Sequence, residues 1–289
     1  MDHRHLSGTG VQLPMSGLGT WNYRGGVEPL RAGVALGANF IDTAESYGTE
    51  EVVGQAIQGN RSAVFLATKL SPRHFRSAHV ITSAEASLRR LNTDYIDLYQ
   101  LHWPNYTVPI DETVGAMEQL VDTGKVRFIG VSNFHVRDLR NAQKAMTRHK
   151  IVSHQIRYNL IDRTIELGLL AYCQQQKITL IAHSPLATGL SKIMARDPHG
   201  MIAQVAKNRS KSAAQVVLNW CISKPGVVTI PKSNSVEHVQ ENCAASDFQL
   251  SREELQLLET MIQCKRRGRF EVAMRGMARH ALQLVGRNQ

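Results

Sequence analysis

The sequence predicts an α/β fold, a (β/α)8 TIM barrel, and three observations point there. Eight short β-prone runs are separated, almost without interruption, by longer stretches whose apolar residues recur every three or four positions. Such alternation implies a parallel sheet, and 289 residues accommodate about eight units of this kind. The rival, a doubly wound dinucleotide-binding sheet, should carry GxGxxG in its first strand–helix turn. Here Gly17-Leu18-Gly19 is followed by Asn22 where the third glycine belongs.

In chain order, the strands are expected at 15–21 (MSGLGTW), 39–44 (NFIDTA), 63–69 (AVFLATK) and 95–102 (YIDLYQLH), then at 126–132 (VRFIGVS), 152–159 (VSHQIRYN), 179–185 (TLIAHSP) and 227–233 (VVTIPKS). Ahead of the first, VQLP suits a small hairpin plugging the barrel floor. Between the strands, TEEVVGQAIQG, SAEASLRRLN, DETVGAMEQLVDTGK and ELGLLAYCQQQK each carry one apolar helical face. No low-complexity linker intervenes. One domain is therefore expected over residues 1–289, with the barrel at 10–262 and a basic C-terminal helical tail at 263–289.

Composition narrows the function. The chain is 43% hydrophobic and 20% charged, with no apolar run approaching the ~18 residues of a membrane span and no signal-peptide core at MDHRHLSGTG. Cys173, Cys221, Cys243 and Cys264 lie far apart without a CxxC pair, so neither a disulfide framework nor a zinc site is expected, and the location expected is cytoplasmic. The net charge is +10, but from Cys264 onward seven basic residues face only Glu271, leaving +4 for the rest. That distribution does not describe a dedicated nucleic-acid binder.

In a barrel of this kind, reactive groups sit at the C-terminal ends of the strands. Asp42 lies near the end of the second expected strand and Tyr47 follows it, Lys69 ends the third and His102 ends the fourth. Each has an ordinary structural alternative: a helix cap, a packing aromatic, a snorkelling lysine, a satisfied core histidine. Together they make a pattern, because a carboxylate and an ammonium are tolerated in an interior only as a pair. A free phenol has a pKa near ~10, too high for efficient proton donation at neutral pH, and a neighbouring ammonium lowers it. Asp42 would hold Lys69 charged, Lys69 would tune Tyr47, and His102 would orient a carbonyl oxygen. Such a quartet suits a general acid for a carbonyl becoming an alcohol.

With GLGTW, FIDTAESYGTE, ATK, DYIDLYQLHWP, GKVRFIGVSNF, HSPL, IPKSNSVEHVQEN and DFQLSREEL in this order, the chain resembles the aldo-keto reductase family over residues 10 to 262. The resemblance implies a TIM barrel that binds NADP without a Rossmann unit, NADPH being preferred and NADH possible. It also implies Tyr47 as the acid, Asp42 and Lys69 as its tuning pair, and His102 as the group that orients the carbonyl. Ser132, Asn133 and Gln155 would hold the nicotinamide amide, near Gly19, Thr20, Trp21 and Asp42. The loop Ser184–Ser191, including Pro185, Leu186 and Gly189, would pass close to the pyrophosphate. Ile230, Lys232, Ser233, Ser235, His238, Glu241 and Asn242 would frame the adenosine 2′-phosphate. Trp21 and Trp103, with Tyr47 and His102, would face the substrate.

Three positions depart from the family pattern. His183 stands where a tyrosine usually stacks on the nicotinamide, and Arg157 where a glutamate is more usual. His238 replaces an arginine at the 2′-phosphate, which implies an NADPH preference that is modest and weakens as pH rises. By strand alternation Arg157 should face inward with Gln155, where it would further favour the phenolate or attract a substrate carboxylate.

The leading reading is an NADP-dependent oxidoreductase acting on aldehydes or ketones. Its partner would be a small-molecule carbonyl substrate, with no nucleic acid, no membrane and no metal, and the protein would be a monomer or weak oligomer. A cofactor-sensing regulatory subunit and a Schiff-base aldolase using Lys69 are the alternatives, the latter opposed by the acid beside the lysine. The short WPNYTVPID segment suggests an open, broad pocket. The tail, with Phe270, Met274, Met277, Ala281 and Leu284 at helical spacing, would pack outside the barrel, cover part of the pocket or bind anionic surfaces weakly.

Overall fold

Two antiparallel strands open the chain: β1 (His3–His5) pairs with β2 (Gln12–Pro14). Eight parallel strands follow: β3 (Leu18–Gly19), β4 (Phe40–Asp42), β5 (Phe65–Leu70), β6 (Ile96–Leu101), β7 (Val126–Ser132), β8 (Ile151–Arg157), β9 (Thr179–His183) and β10 (Val227–Thr229). Each hydrogen-bonds to the next in chain order. The sheet curls until its first and last strands meet. Ser16 and Thr229 form a parallel bridge, Gly17 N–H donates to Thr229 O at 2.8 Å, and Gly19 N–H donates to Pro231 O at 3.0 Å. These positions come from a computed structural model that describes residues 1–265.

The expected strand order and barrel architecture are both present. Strand seven of the chain, β7, occupies the expected residues, whereas β3 is reduced to two. The reason lies at the seam. A Cβ on Gly17 would stand 2.7 Å from Phe40 O, and one on Gly19 would stand 2.5 Å from Ile230 O. Glycine permits this close backbone approach and supplies little strand propensity of its own.

The hairpin lies against the floor as its sequence suggested. Leu6 and Leu13 are fully buried in one cluster with Phe40, Phe65, Leu98, Ile181 and Val228, the interior of the barrel. A larger apolar layer joins the outer faces of the strands to the helices, as on Ser77–Leu91, where Val80, Ala84 and Leu91 are buried. Fully burying a valine or leucine side chain contributes about 1.5–3 kcal/mol. Helix Arg252–Met261 is started by a reciprocal cap between Ser251 and Glu254. Among the described residues no helix is long and apolar enough to cross a membrane. Of the expected tail, residues 266–289 lie outside the described residues.

Candidate active site

Side chains at successive strand ends converge on one rim. Asp42 ends β4 and Lys69 lies one residue before the end of β5; they are 2% and 0% exposed. Lys69 Nζ donates to Asp42 Oδ2 at 2.6 Å and to Thr43 O at 2.8 Å, and lies 3.4 Å from Tyr47 Oη. Tyr47 closes a single 3-10 turn, Glu45–Tyr47, after which Gly48 takes φ 67°. That left-handed residue turns the chain into helix Glu50–Ile57 and leaves the phenol over the barrel mouth. His102 Nε2, just past β6, lies 3.4 Å from the same phenol oxygen, and the two rings meet edge to face. The sequence-predicted quartet is therefore brought together.

The electrostatics agree in part. Burial alone would lower the pKa of Lys69; the Asp42 and Tyr47 charges and their hydrogen bonds raise it above the ordinary value, so the ammonium persists. Burial drives His102 down to about 3, helped by the positive charge of Lys69, so its imidazole is neutral. Tyr47 corrects the sequence expectation. Burial raises its pKa above the ordinary value, with the Asp42 charge in support, and the Lys69 charge and hydrogen bond offset only part of that rise. The phenol is therefore held in its protonated form.

Asp42 Oδ1 is held separately. Gln155 Nε2 donates to it at 2.7 Å and Gln100 Nε2 at 3.2 Å. Gln155 thus lines the cavity with its amide nitrogen already committed to Asp42, which sequence reasoning had not anticipated. Gln100 was missed altogether. Its signal was a polar residue two positions after Leu98, on the same face of the strand.

A cavity of about 1370 Å³ opens from Tyr47, His102, Trp103 and Trp21. It passes Gly19, Thr20, Asp42, Ser132, Asn133, Gln155 and His183, follows Ser184, Pro185, Leu186 and Gly189, and reaches Ile230 and Lys232. Lys69 lies behind this wall rather than on it. An amine so enclosed, charged and bonded is no nucleophile for a Schiff base. His183 Nε2 lies 3.3 Å from Asn133 Oδ1, and Nδ1 lies 3.2 Å from Ser184 Oγ. Burial, then the Lys69 and Arg157 charges, push its pKa to about 3. A neutral ring with both nitrogens engaged has only its faces left to offer.

The loop after β9 is conformationally unusual. Ser184, Ala187 and Thr188 have φ of 51°, 54° and 64°, and Gly189 has φ 150°. Left-handed backbone costs an alanine or a β-branched threonine energy, and such strain gathers at ligand sites. Successive turns of this kind make concave nests of N–H groups suited to anions. The donor set and the room therefore fit a phosphate-bearing cofactor.

Other expected residues lie off the cavity wall. Ser191 is in the short helix Leu190–Met194. Ser233 Oγ donates to Ser235 O at 3.1 Å, while Ser235 Oγ caps helix Val236–Cys243 by accepting His238 N–H at 3.4 Å. His238 is exposed on that helix, Glu241 half-buried and Asn242 buried. Arg157 lines the cavity, as alternation required, but its Nε lies 3.4 Å from Asp162 Oδ2. Its charge already faces an acid of this chain.

A sequence model of the aldo/keto reductase family matches residues 17–263. The chain is 42% identical over 260 residues to methylglyoxal reductase YeaE of Escherichia coli, covering 86% of this chain and 91% of that protein. It is 35% identical over 265 residues to the glyoxal reductase of Bacillus subtilis, covering 90% and 92%. It superposes on an aldo/keto reductase from Klebsiella pneumoniae, solved in complex with NADP and acetate, with a TM-score of 0.82 and 42% identity over 89% of this chain and 94% of that one.

Proposed function

The chain belongs to the aldo/keto reductase family and is an NAD(P)H-dependent oxidoreductase, and on that premise we propose that it reduces small aldehydes and ketones with NADPH, 2-oxoaldehydes foremost. The observation that carries this reading is the Tyr47 hydroxyl, flanked at 3.4 Å by both the Lys69 ammonium and the His102 imidazole at the cavity. The substrate class is supported by the relatives named for methylglyoxal and glyoxal. It is supported too by a mouth lined by the aromatic side chains Trp21 and Trp103.

NADPH supplies the hydride to the carbonyl carbon when bound. Tyr47 gives its proton to the carbonyl oxygen, and the Lys69 charge stabilises the phenolate left behind. His102, neutral, donates a hydrogen bond that orients the same oxygen. Asp42 keeps Lys69 charged and in place. Ser132, Asn133 and Gln155 would hold the nicotinamide amide, a face of His183 would meet the ring, and the loop 184–191 would take the phosphates. Lys232, Ser233, Ser235, His238, Glu241 and Asn242 would frame the adenosine end. We place the protein in the cytoplasm as a monomer or weak oligomer, consistent with four free cysteines.

A panel of methylglyoxal, glyoxal, simple aldehydes and ketones with NADPH, followed at the cofactor's absorbance, tests the reading. Turnover with 2-oxoaldehydes at the highest kcat/KM is expected. No oxidation of NADPH by any carbonyl would sink it.

A further inference from the structure

Alternate strands of a barrel contribute to the same interior layer. Here β4, β6 and β8 bring Asp42, Gln100 and Gln155 together, so the layer beneath the rim is polar where the one below it is apolar. Gln100 is fully buried, and its Oε1 has no hydrogen-bond partner among the described residues. Leaving a buried carbonyl oxygen unpaired is costly, and an apolar side chain of the same length would avoid that cost. Gly130 leaves it room: a Cβ there would lie 3.0 Å from Gln100 Cγ.

What the amide supplies is a second donor to one particular oxygen. Gln100 and Gln155 both donate to Asp42 Oδ1, while Oδ2 receives Lys69 Nζ at 2.6 Å. The terminal torsion of an aspartate is broad and roughly two-fold, so the carboxylate plane is set by its partners rather than by its own rotamer. Two amides on one oxygen fix that plane.

We propose that Gln100 is a positioning residue, which with Gln155 clamps Asp42 so that Oδ2 faces Lys69 and, through Lys69, aligns the Tyr47 phenol. This rests on the roles proposed above for Asp42, Lys69 and Tyr47. Gln100 does not line the cavity, and its side-chain hydrogen bond is to Asp42, through which its effect passes.

Gln100→Met is the direct test, since methionine has similar length and no amide. The melting temperature of the cofactor-free protein should equal or exceed that of wild type. NADPH affinity, read by fluorescence titration, should stay within twofold, and kcat should fall about tenfold. A folded variant with kcat within twofold of wild type overturns the proposal, as does a kcat loss matched by lost NADPH affinity or a lowered melting temperature. Gln100→Glu provides an independent arm. Protonated, it donates to Asp42 Oδ1 as the amide did; ionised, it repels Asp42. Its kcat should approach wild type at the acid end and fall at least tenfold further than wild type as pH rises. A profile parallel to wild type overturns the proposal. Wild-type protein that oxidises no NADPH with any carbonyl would sink the functional reading itself, whereas active wild type with indifferent Gln100 variants sinks only this inference.

Discussion

The rim around Asp42 and the segment from Lys232 to Asn242 are both part of the proposed site, yet they are built in opposite ways. Around Asp42, both carboxylate oxygens, the ammonium and the phenol are held by groups from four strands and a turn, nearly all of them buried. Around Lys232 and His238 the side chains are exposed, and the Ser233 and Ser235 hydroxyls serve their own turn and helix cap. Chemistry needs groups fixed before the substrate arrives; recognition of a flexible phosphate tolerates groups that settle around it. Substitutions in the first region should therefore change rate and stability together or rate alone, while those in the second should change cofactor choice.

Tyr47→Phe should break the comparison most sharply if it is wrong. Loss of the proton donor should lower kcat about 10²–10⁴-fold while NADPH binding stays within twofold. A variant retaining most of its turnover removes Tyr47 from the mechanism.

Lys69→Met comes next, because it affects both properties. It leaves Asp42 buried without its cation, and breaking such a pair costs about 3–5 kcal/mol. Activity should vanish and urea unfolding should shift to lower concentration. Unfolding indistinguishable from wild type would mean that the pair is not buried as described.

Acid sharpens the same contrast. Burial lowers His102 and His183 to about 3 and the core histidine His154 to about 4, against an ordinary value of 6.5. Between those values the unfolded chain binds more protons, so the stability these groups contribute is complete above pH 6.5 and is lost as pH falls toward 4. The melting temperature should decline over that window, and His154→Gln should make the decline shallower. A flat profile from pH 6.5 to 4 would contradict the burial of these rings.

The smallest effect is expected in the exposed region. His238→Arg replaces a single donor with a permanently charged fork and should tighten NADPH about threefold to tenfold, leaving NADH unchanged. Equal effects on both cofactors would show that this side chain does not reach the 2′-phosphate.

The same division governs what could be read from the sequence. Alternating strands and helices, and the length, were enough for the barrel, and Asp42, Lys69 and His102 were visible because charged or titratable residues at the ends of apolar strands are unusual. Gln100 carries the same signal two positions before His102, yet a neutral amide draws less notice than a charge. The raised pKa of Tyr47 was beyond reach, since it depends on how far burial outweighs an ammonium 3.4 Å away. The segment 232–242 was legible only through family resemblance. Taken locally, an exposed lysine, two serines and a histidine before a helix look like any solvent-facing turn.

The seam between Ser16 and Thr229 carries a further consequence, for the birth of the chain. Met15 O and Thr229 Oγ1 are hydrogen-bonded across 214 residues, and Leu6 and Leu13 share their burial with Val228. None of these contacts can form before the last strand has been translated. At roughly 5–20 residues per second, the apolar floor stays uncovered for about 10 to 40 s after Leu13 is polymerised. During that interval the nascent protein is a sticky half-shell with two unpaired edges, the state in which a holdase would find it and in which crowded polysomes would lose it to aggregation.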